Sequence, residues 1–141
     1  MLFRSAVLPT KEGPLYVYVY PAQTDNGVFP LGGDGRYLIS ADGNTIIEDR
    51  RMHDDVLMFD MRQADASGST AGWHTHVLSD VPEDTDVFYA LSIKPAGSQY
   101  IGTRSGFYYR VKEDGTILPV SVDEVKARFP GAKIGEAKPK P

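Results

Sequence analysis

The 141-residue sequence predicts an α+β fold in which strand outweighs helix, with one curved mixed sheet built from hairpins and a meander. Three observations predict this class. Several short runs alternate aliphatic with aromatic or polar residues, which is the pattern of a half-buried strand. Glycine-containing turns separate most of these runs. Two segments begin with a helix-capping pattern and end soon afterwards at a proline, so one or two short helices are expected.

The clearest strand signal lies at residues 15–20, where aliphatic residues alternate with tyrosines between Pro14 and Pro21. β-branched and aromatic residues at this period favour a strand, and prolines on both sides are typical of strand boundaries. The aliphatic residues face the core in this interpretation. The tyrosines are explained by a half-covered sheet face, because aromatic side chains favour pleated surfaces.

Glycine, proline and aspartate are frequent in residues 21–35, which are therefore predicted to form a loop. A hairpin is predicted over residues 36–48, because Asp42-Gly43 tolerates the positive φ angles of a tight turn. Its second arm is expected to continue through a polar stretch to residues 56–59. His53 lies in that stretch and is expected to be solvated, since charged residues surround it and no core face is visible.

Both predicted helices lie in the second half of the chain. One is expected over residues 82–94, where Asp80 can act as the cap and Glu83 completes a capping box. A three-stranded meander with glycine at each corner is predicted for residues 98–120. A second capping box at Ser121 opens the other, shorter helix.

The length of the chain fits a single domain, predicted for residues 1–131. Residues 132–141 contain Lys, Pro, Gly and Ala with almost no apolar residue to bury, so a disordered tail is expected. Residues 1–8 are too short and too interrupted for a secretory signal. The expectation is a soluble protein, either cytoplasmic or exported with its signal missing, and the sequence favours no oligomeric state.

Composition excludes several classes of function. The net charge of −4 gives no electrostatic reason to expect a nucleic-acid partner, which usually requires a basic face. No apolar run approaches the length of a membrane span. The chain has no cysteine, so disulfides, thiolate metal ligands and thiol nucleophiles are excluded. Any metal site must therefore use histidine and carboxylate ligands.

The strongest candidates for metal ligands are His74 and His76, which are separated by one residue in a predicted strand. Side chains at i and i+2 of a strand point to the same face, so the two imidazoles would project together. A carboxylate at the start of the following helix would complete a three-ligand site with one open position. Such a site suits a catalytic zinc ion, which keeps water as its fourth ligand.

The segment from Gly72 to Asp86 resembles the JAMM/MPN metalloprotease family, whose JAB domains include isopeptidases. That family has a Gly-Trp or similar lead-in, a His-x-His-Pro motif, a spacer and Ser-x-x-Asp at a helix start. Gly72-Trp73, His74, His76 and Asp86 stand at matching positions. The resemblance covers about half the chain, from the strand before His74 to the hairpin after the helix.

Three features depart from the family pattern. Val77 replaces the proline, Glu83 replaces the serine, and the spacer is one residue short. The resemblance implies a JAB/MPN-like, cytidine-deaminase-like architecture. It also implies an enzyme whose substrate is a peptide or a ubiquitin-like isopeptide conjugate. It also implies one Zn²⁺ ion held by His74, His76 and Asp86.

The resemblance further implies a glutamate general base at the beginning of an early strand. Glu12 fits, because it leads directly into the strand at residues 15–20, and Glu48 is the alternative. An ionised Glu83 cannot donate the hydrogen bond that the family's serine gives to an oxyanion, so Ser79 or Thr85 would have to substitute.

Two classes of function remain the leading hypotheses. The first is a zinc-dependent peptidase or isopeptidase. The second is a non-catalytic JAMM-like module that keeps the fold, and with it the metal, for binding or scaffolding. A third hypothesis is a plain β-rich domain in which the His-x-His pattern is accidental. Metal content distinguishes the third hypothesis from the other two.

Overall fold

A computed structural model describes residues 1–63, 71–93, 97–132 and 134 of the chain. The chain divides into two compact units, Met1–Arg62 and Gln63–Pro141. The predicted α+β class is confirmed, with mostly antiparallel strands in sheets and two short helices among the described residues. The single JAMM-like domain over 1–131 stays a prediction. Most of the tail predicted to be disordered lies outside the described residues.

The first unit is built from strands. They are β1 (Phe3–Pro9), β2 (Leu15–Pro21), β3 (Val28–Gly32), β4 (Gly35–Ile39), β5 (Ile46–Arg51) and β6 (Val56–Asp60). Four of them form an antiparallel sheet in the order β1-β2-β4-β5, and β3 pairs antiparallel with β6. β2 and the β4–β5 hairpin confirm the corresponding predictions from the sequence. Asp42 stabilises the hairpin turn by accepting a hydrogen bond from the Asn44 N–H.

Two predictions for the first unit are wrong. The predicted loop at residues 21–35 contains β3, a strand with a proline at its centre that pairs with β6 alone among the described strands. Pro30 has no N–H to donate, and an edge position in a two-stranded ladder tolerates that loss. The second hairpin arm also does not run on to residues 56–59. β5 ends at Arg51, and the next strand belongs to a different sheet, so the chain forms several sheets instead of one.

The second unit contains a mixed sheet and both helices. Its elements are β7 (Gly72–His76), α1 (Asp84–Ser92), β8 (Gln99–Thr103), β9 (Tyr108–Val111), β10 (Ile117–Pro119) and α2 (Val122–Arg128). The strand order is β10-β9-β8-β7, with β7 parallel to β8 and the other neighbours antiparallel. The predicted meander is therefore confirmed as β8–β10, and β7-α1-β8 is a βαβ unit.

The two helices of this unit cover opposite faces of its sheet. Ala90 of α1 packs with Ile101 and Val111, which lie on one face. Val125 of α2 packs with Tyr100, which lies on the other. Because side chains alternate along a strand, these two small cores share the strands without sharing side chains. Neither helix, within the described residues, is long and apolar enough to cross a bilayer.

The first helix begins two residues later than predicted. Its N-cap is Glu83, which closes a capping box with Asp86, and not Asp80. Asp80 is held elsewhere, since its carboxylate accepts a hydrogen bond from Ser105 Oγ at 2.7 Å and its carbonyl accepts one from Tyr109 OH at 3.2 Å. The predicted cap of α2 is correct, because Ser121 Oγ accepts a hydrogen bond from the Glu124 N–H.

A close approach of Trp73 to β8 makes Gly102 a sensitive position. A Cβ atom at Gly102 would lie 2.6 Å from the Trp73 ring, which is itself packed between Tyr108 and Phe129. Gly102→Ala should therefore lower the free energy of unfolding by about 1–3 kcal/mol, the usual range for overpacking. Urea denaturation measures this change.

Gly131→Ala is the matched control, because nothing lies within 4 Å of the added Cβ atom. Its unfolding free energy should stay within about 0.5 kcal/mol of the wild type. Equal stabilities for the two variants would contradict the described packing of Trp73 on β8.

Candidate metal centre

The two histidines of β7 project from the same face of the strand, as their spacing predicts. His74 and His76 are 4% and 2% exposed, and their Nε2 atoms lie 3.2 Å apart. Their register partners on β8 are Ile101 and Thr103, so the pair lies on the sheet face that α1 covers. Two imidazoles are thus buried together between a strand and a helix.

Asp86 completes the group from the first turn of α1. Its side chain is fully buried, with Oδ1 3.0 Å from His74 Nε2 and Oδ2 3.2 Å from His76 Nε2. The ligand atoms all lie within 4.8 Å of one another. The capping box fixes the carboxylate, because the Glu83 N–H donates a hydrogen bond to Asp86 Oδ2 at 2.6 Å. The structure therefore brings together the three metal ligands proposed from the sequence.

The tautomer of His76 follows from its hydrogen bonds. Its Nδ1 atom lies 2.9 Å from the carbonyl oxygen of Val81, which can only accept. Nδ1 must therefore carry a proton, and Nε2 is the ring nitrogen that points towards Asp86. Metal-binding histidines commonly donate their other N–H to a backbone carbonyl in this way, which fixes both tautomer and ring orientation.

The charges and lone pairs of the group favour a bound cation. A ring protonated on Nδ1 alone would place the Nε2 lone pair against Asp86 Oδ2, 3.2 Å away in a buried place, where two acceptors repel each other. An added proton or a cation between them removes that repulsion, and a buried carboxylate needs such compensation. Tetrahedral zinc with ligands at about 2.0–2.1 Å separates its ligand atoms by roughly 3.3 Å. The observed 3.0–3.2 Å is close to this value, so the group could bind a metal.

Ser79, proposed from the sequence as an oxyanion donor, lies beside His76. Its hydroxyl donates to the Val81 carbonyl at 2.9 Å and lies 3.3 Å from His76 Nδ1. In this position Ser79 helps to hold the imidazole, and the oxyanion role stays a prediction. Thr85, the other proposed substitute, is buried in the first turn of α1.

Glu83 has a structural role at the start of α1. It is 4% exposed and serves as the N-cap of α1. Asp and Asn are the more usual acidic or amide caps, but any side-chain oxygen that reaches the N-terminal N–H groups fulfils the role. Glu83 therefore helps to fix where α1 begins.

The two candidate general bases lie in the first unit. Glu12 is exposed in the turn between β1 and β2. Glu48 lies on β5, and its carboxylate accepts a hydrogen bond from Arg36 at 3.1 Å. The proposed base function of either residue stays a prediction.

The sequence interpretation of His53 is wrong. His53 is buried in the first unit, where its Nδ1 lies 2.7 Å from Asp34 Oδ1. A carboxylate in this position fixes the tautomer of an imidazole. The charged neighbours of His53 in sequence concealed this contact. No local signal pointed to this contact, because Asp34 and His53 are 19 residues apart in the sequence.

Tyr89 of α1 is a buried tyrosine in the same unit as the ligand group. Burial raises the pKa of its hydroxyl well above the usual value. The side chain is therefore protonated and uncharged at neutral pH, and it adds no negative charge to the helix that carries Asp86.

Comparisons with models of protein families, with curated proteins and with solved structures found no match to this chain. Membership of the JAMM/MPN family therefore stays a proposal that rests on the motif residues. The geometry of the ligand group stands independently of that proposal.

Loss of the Ser79 hydroxyl should weaken metal binding without removing it. Ser79→Ala deletes one of the groups that hold the Val81 carbonyl and His76, and such changes typically weaken metal affinity by about 10-fold or somewhat more. Competition with a chelator measures the affinity. Ser92→Ala is the control, because Ser92 Oγ only donates to a carbonyl within α1. An unchanged affinity in Ser79→Ala would show that this hydroxyl does not support the site.

Proposed function

We propose that the protein binds one Zn²⁺ ion through His74, His76 and Asp86 and hydrolyses amide bonds. The substrate class is a peptide or a ubiquitin-like isopeptide conjugate. One observation carries the metal part of the proposal: two imidazole Nε2 atoms and a carboxylate converge at 3.0–3.2 Å in a buried site. The resemblance to the JAMM motif supports the choice of reaction.

The donor set favours zinc at a catalytic site over a purely structural one. Structural zinc sites are usually closed by four protein ligands, and most of them use cysteine, which this chain lacks. If these two imidazoles and one carboxylate are the only protein ligands, a bound zinc ion keeps a position for water, and zinc lowers the pKa of a bound water towards about 7. The carboxylate of Asp86 gives the buried site a negatively charged ligand, which favours a divalent cation.

In the proposed hydrolysis, some residues of the chain hold the metal and another transfers the proton. His76 is held in the ligating tautomer by the Val81 carbonyl, and Asp86 is held by the start of α1. A carboxylate must take a proton from the attacking water and deliver it to the leaving amine. Glu12 is the preferred residue for this step, because the Glu48 carboxylate is already engaged by Arg36.

One observation favours a second candidate function. Glu83 occupies the position of the family's oxyanion donor, and an ionised carboxylate has no hydrogen to donate. A protein that binds the metal without an oxyanion donor would serve as a binding or scaffolding module. Cleavage that is sensitive to chelators distinguishes the hydrolase from this module.

Purified protein should contain about one zinc per chain, as expected for a single three-ligand site. His74→Ala and His76→Ala should each abolish stoichiometric zinc, and Asp86→Asn should weaken binding through loss of a charged ligand. Inductively coupled plasma mass spectrometry measures the metal content.

Thr75→Ala and Asp123→Asn are matched controls, since Thr75 is exposed in β7 and Asp123 lies in the first turn of α2. Zinc retained at the wild-type level in the two histidine variants would refute the site. Iron in place of zinc would keep the metal centre but overturn the assignment of zinc.

Removal of the proposed base should slow catalysis without affecting the metal. General acid–base help contributes typically about 10²–10⁴-fold, so Glu12→Gln should lower kcat by that factor with full zinc content. Peptide and isopeptide substrates, assayed with a chelated control, provide the measurement. Glu113→Gln, in an exposed turn, is the matched variant. Cleavage that survives Glu12→Gln unchanged would assign the base to another carboxylate.

A further inference from the structure

The loop between β7 and α1 exposes apolar side chains next to the ligand group. Val77, Leu78 and Val81 are 37%, 48% and 50% exposed. Phe107, in the turn between β8 and β9, is 56% exposed. We call these four residues the apolar rim. Surface loops are usually polar, and clustered apolar side chains at a protein surface commonly mark a binding site.

Hydrogen bonds join the two loops that carry the rim. Asp80, in the middle of the first loop, accepts from Ser105 Oγ at 2.7 Å, and its carbonyl accepts from Tyr109 OH at 3.2 Å. The Phe107 N–H donates to Thr103 Oγ1 at 3.1 Å at the end of β8. These contacts preorganise the rim, and a preorganised surface loses less conformational entropy when it binds.

The rim is continuous with the metal ligands. The carbonyl of Val81 holds His76 Nδ1 at 2.9 Å, and Val77 directly follows His76 in the chain. The loop therefore lies one imidazole ring away from the proposed metal position, close to a molecule bound there. An apolar group on that molecule would contact side chains that are otherwise exposed to water.

We propose that the apolar rim is a specificity subsite that binds an apolar side chain of the substrate beside the bond to be cleaved. The inference rests on the proposed function and names the substrate class more closely: a peptide segment with a residue such as leucine next to the scissile amide. Leu78 and Phe107 provide most of the contact area, because they are the larger exposed side chains of the rim.

Zinc-binding hydroxamates test the subsite without any catalytic step. N-acetyl-glycine hydroxamate and N-acetyl-leucine hydroxamate carry the same chelating group and differ in one apolar side chain. Calorimetric titration of zinc-loaded protein should show the leucine compound binding roughly 10-fold to 100-fold more tightly, the range for partial to full burial of one leucine side chain. Leu78→Ser and Phe107→Ser should each reduce this ratio severalfold, with zinc content unchanged.

Leu118→Ser is the matched control, since Leu118 is 40% exposed on β10, at the opposite edge of the sheet from β7. Its affinity ratio should equal that of the wild type. Full zinc content with a ratio near one, or with a ratio unchanged in both rim variants, would overturn the subsite alone. Failure of wild-type protein to bind zinc and both hydroxamates would overturn the proposed function and the subsite with it.

Discussion

The candidate site depends on the contacts that the buried carboxylate of Asp86 makes with the start of α1 and with the two imidazoles. This carboxylate caps the first turn of α1 through the Glu83 N–H and faces both imidazoles of β7. A carboxylate in a dry environment is stable only when hydrogen bonds and opposite charge compensate its lost hydration. One side chain thus fixes where the helix begins and supplies the third ligand, so the helix start and the site are coupled.

Side chains alternate along β7, so packing residues lie on one face of the sheet of the second unit and the candidate metal ligands lie on the other. Trp73 packs on the face covered by α2, against Tyr108 and Phe129. His74 and His76 lie on the face covered by α1. The parallel βαβ connection between β7 and β8 then brings the first turn of α1 over the histidines. A rigid strand and a helix start, and not mobile loops, therefore position the ligands.

Local signals in the sequence predicted the parts of the structure that depend on local geometry. The i, i+2 spacing of the histidines, the glycine turns and the cap at Ser121 all depend on neighbours in sequence, and each was confirmed. The pairing of β3 with β6 and the contact between Asp34 and His53 join distant segments, so no local pattern revealed them. The start of α1 was misplaced because Asp80 is held by the β8–β9 hairpin, a contact that its sequence neighbours do not encode.

X-ray absorption at the zinc edge of zinc-loaded protein tests the central claim most directly. The account predicts nitrogen and oxygen ligands at about 2.0–2.1 Å, four in number, with the multiple-scattering signature of two imidazoles. The Asp86→Asn variant should keep the imidazole signature and lose zinc more readily to a chelator. A spectrum with oxygen ligands only and no imidazole scattering would contradict the site formed by His74, His76 and Asp86.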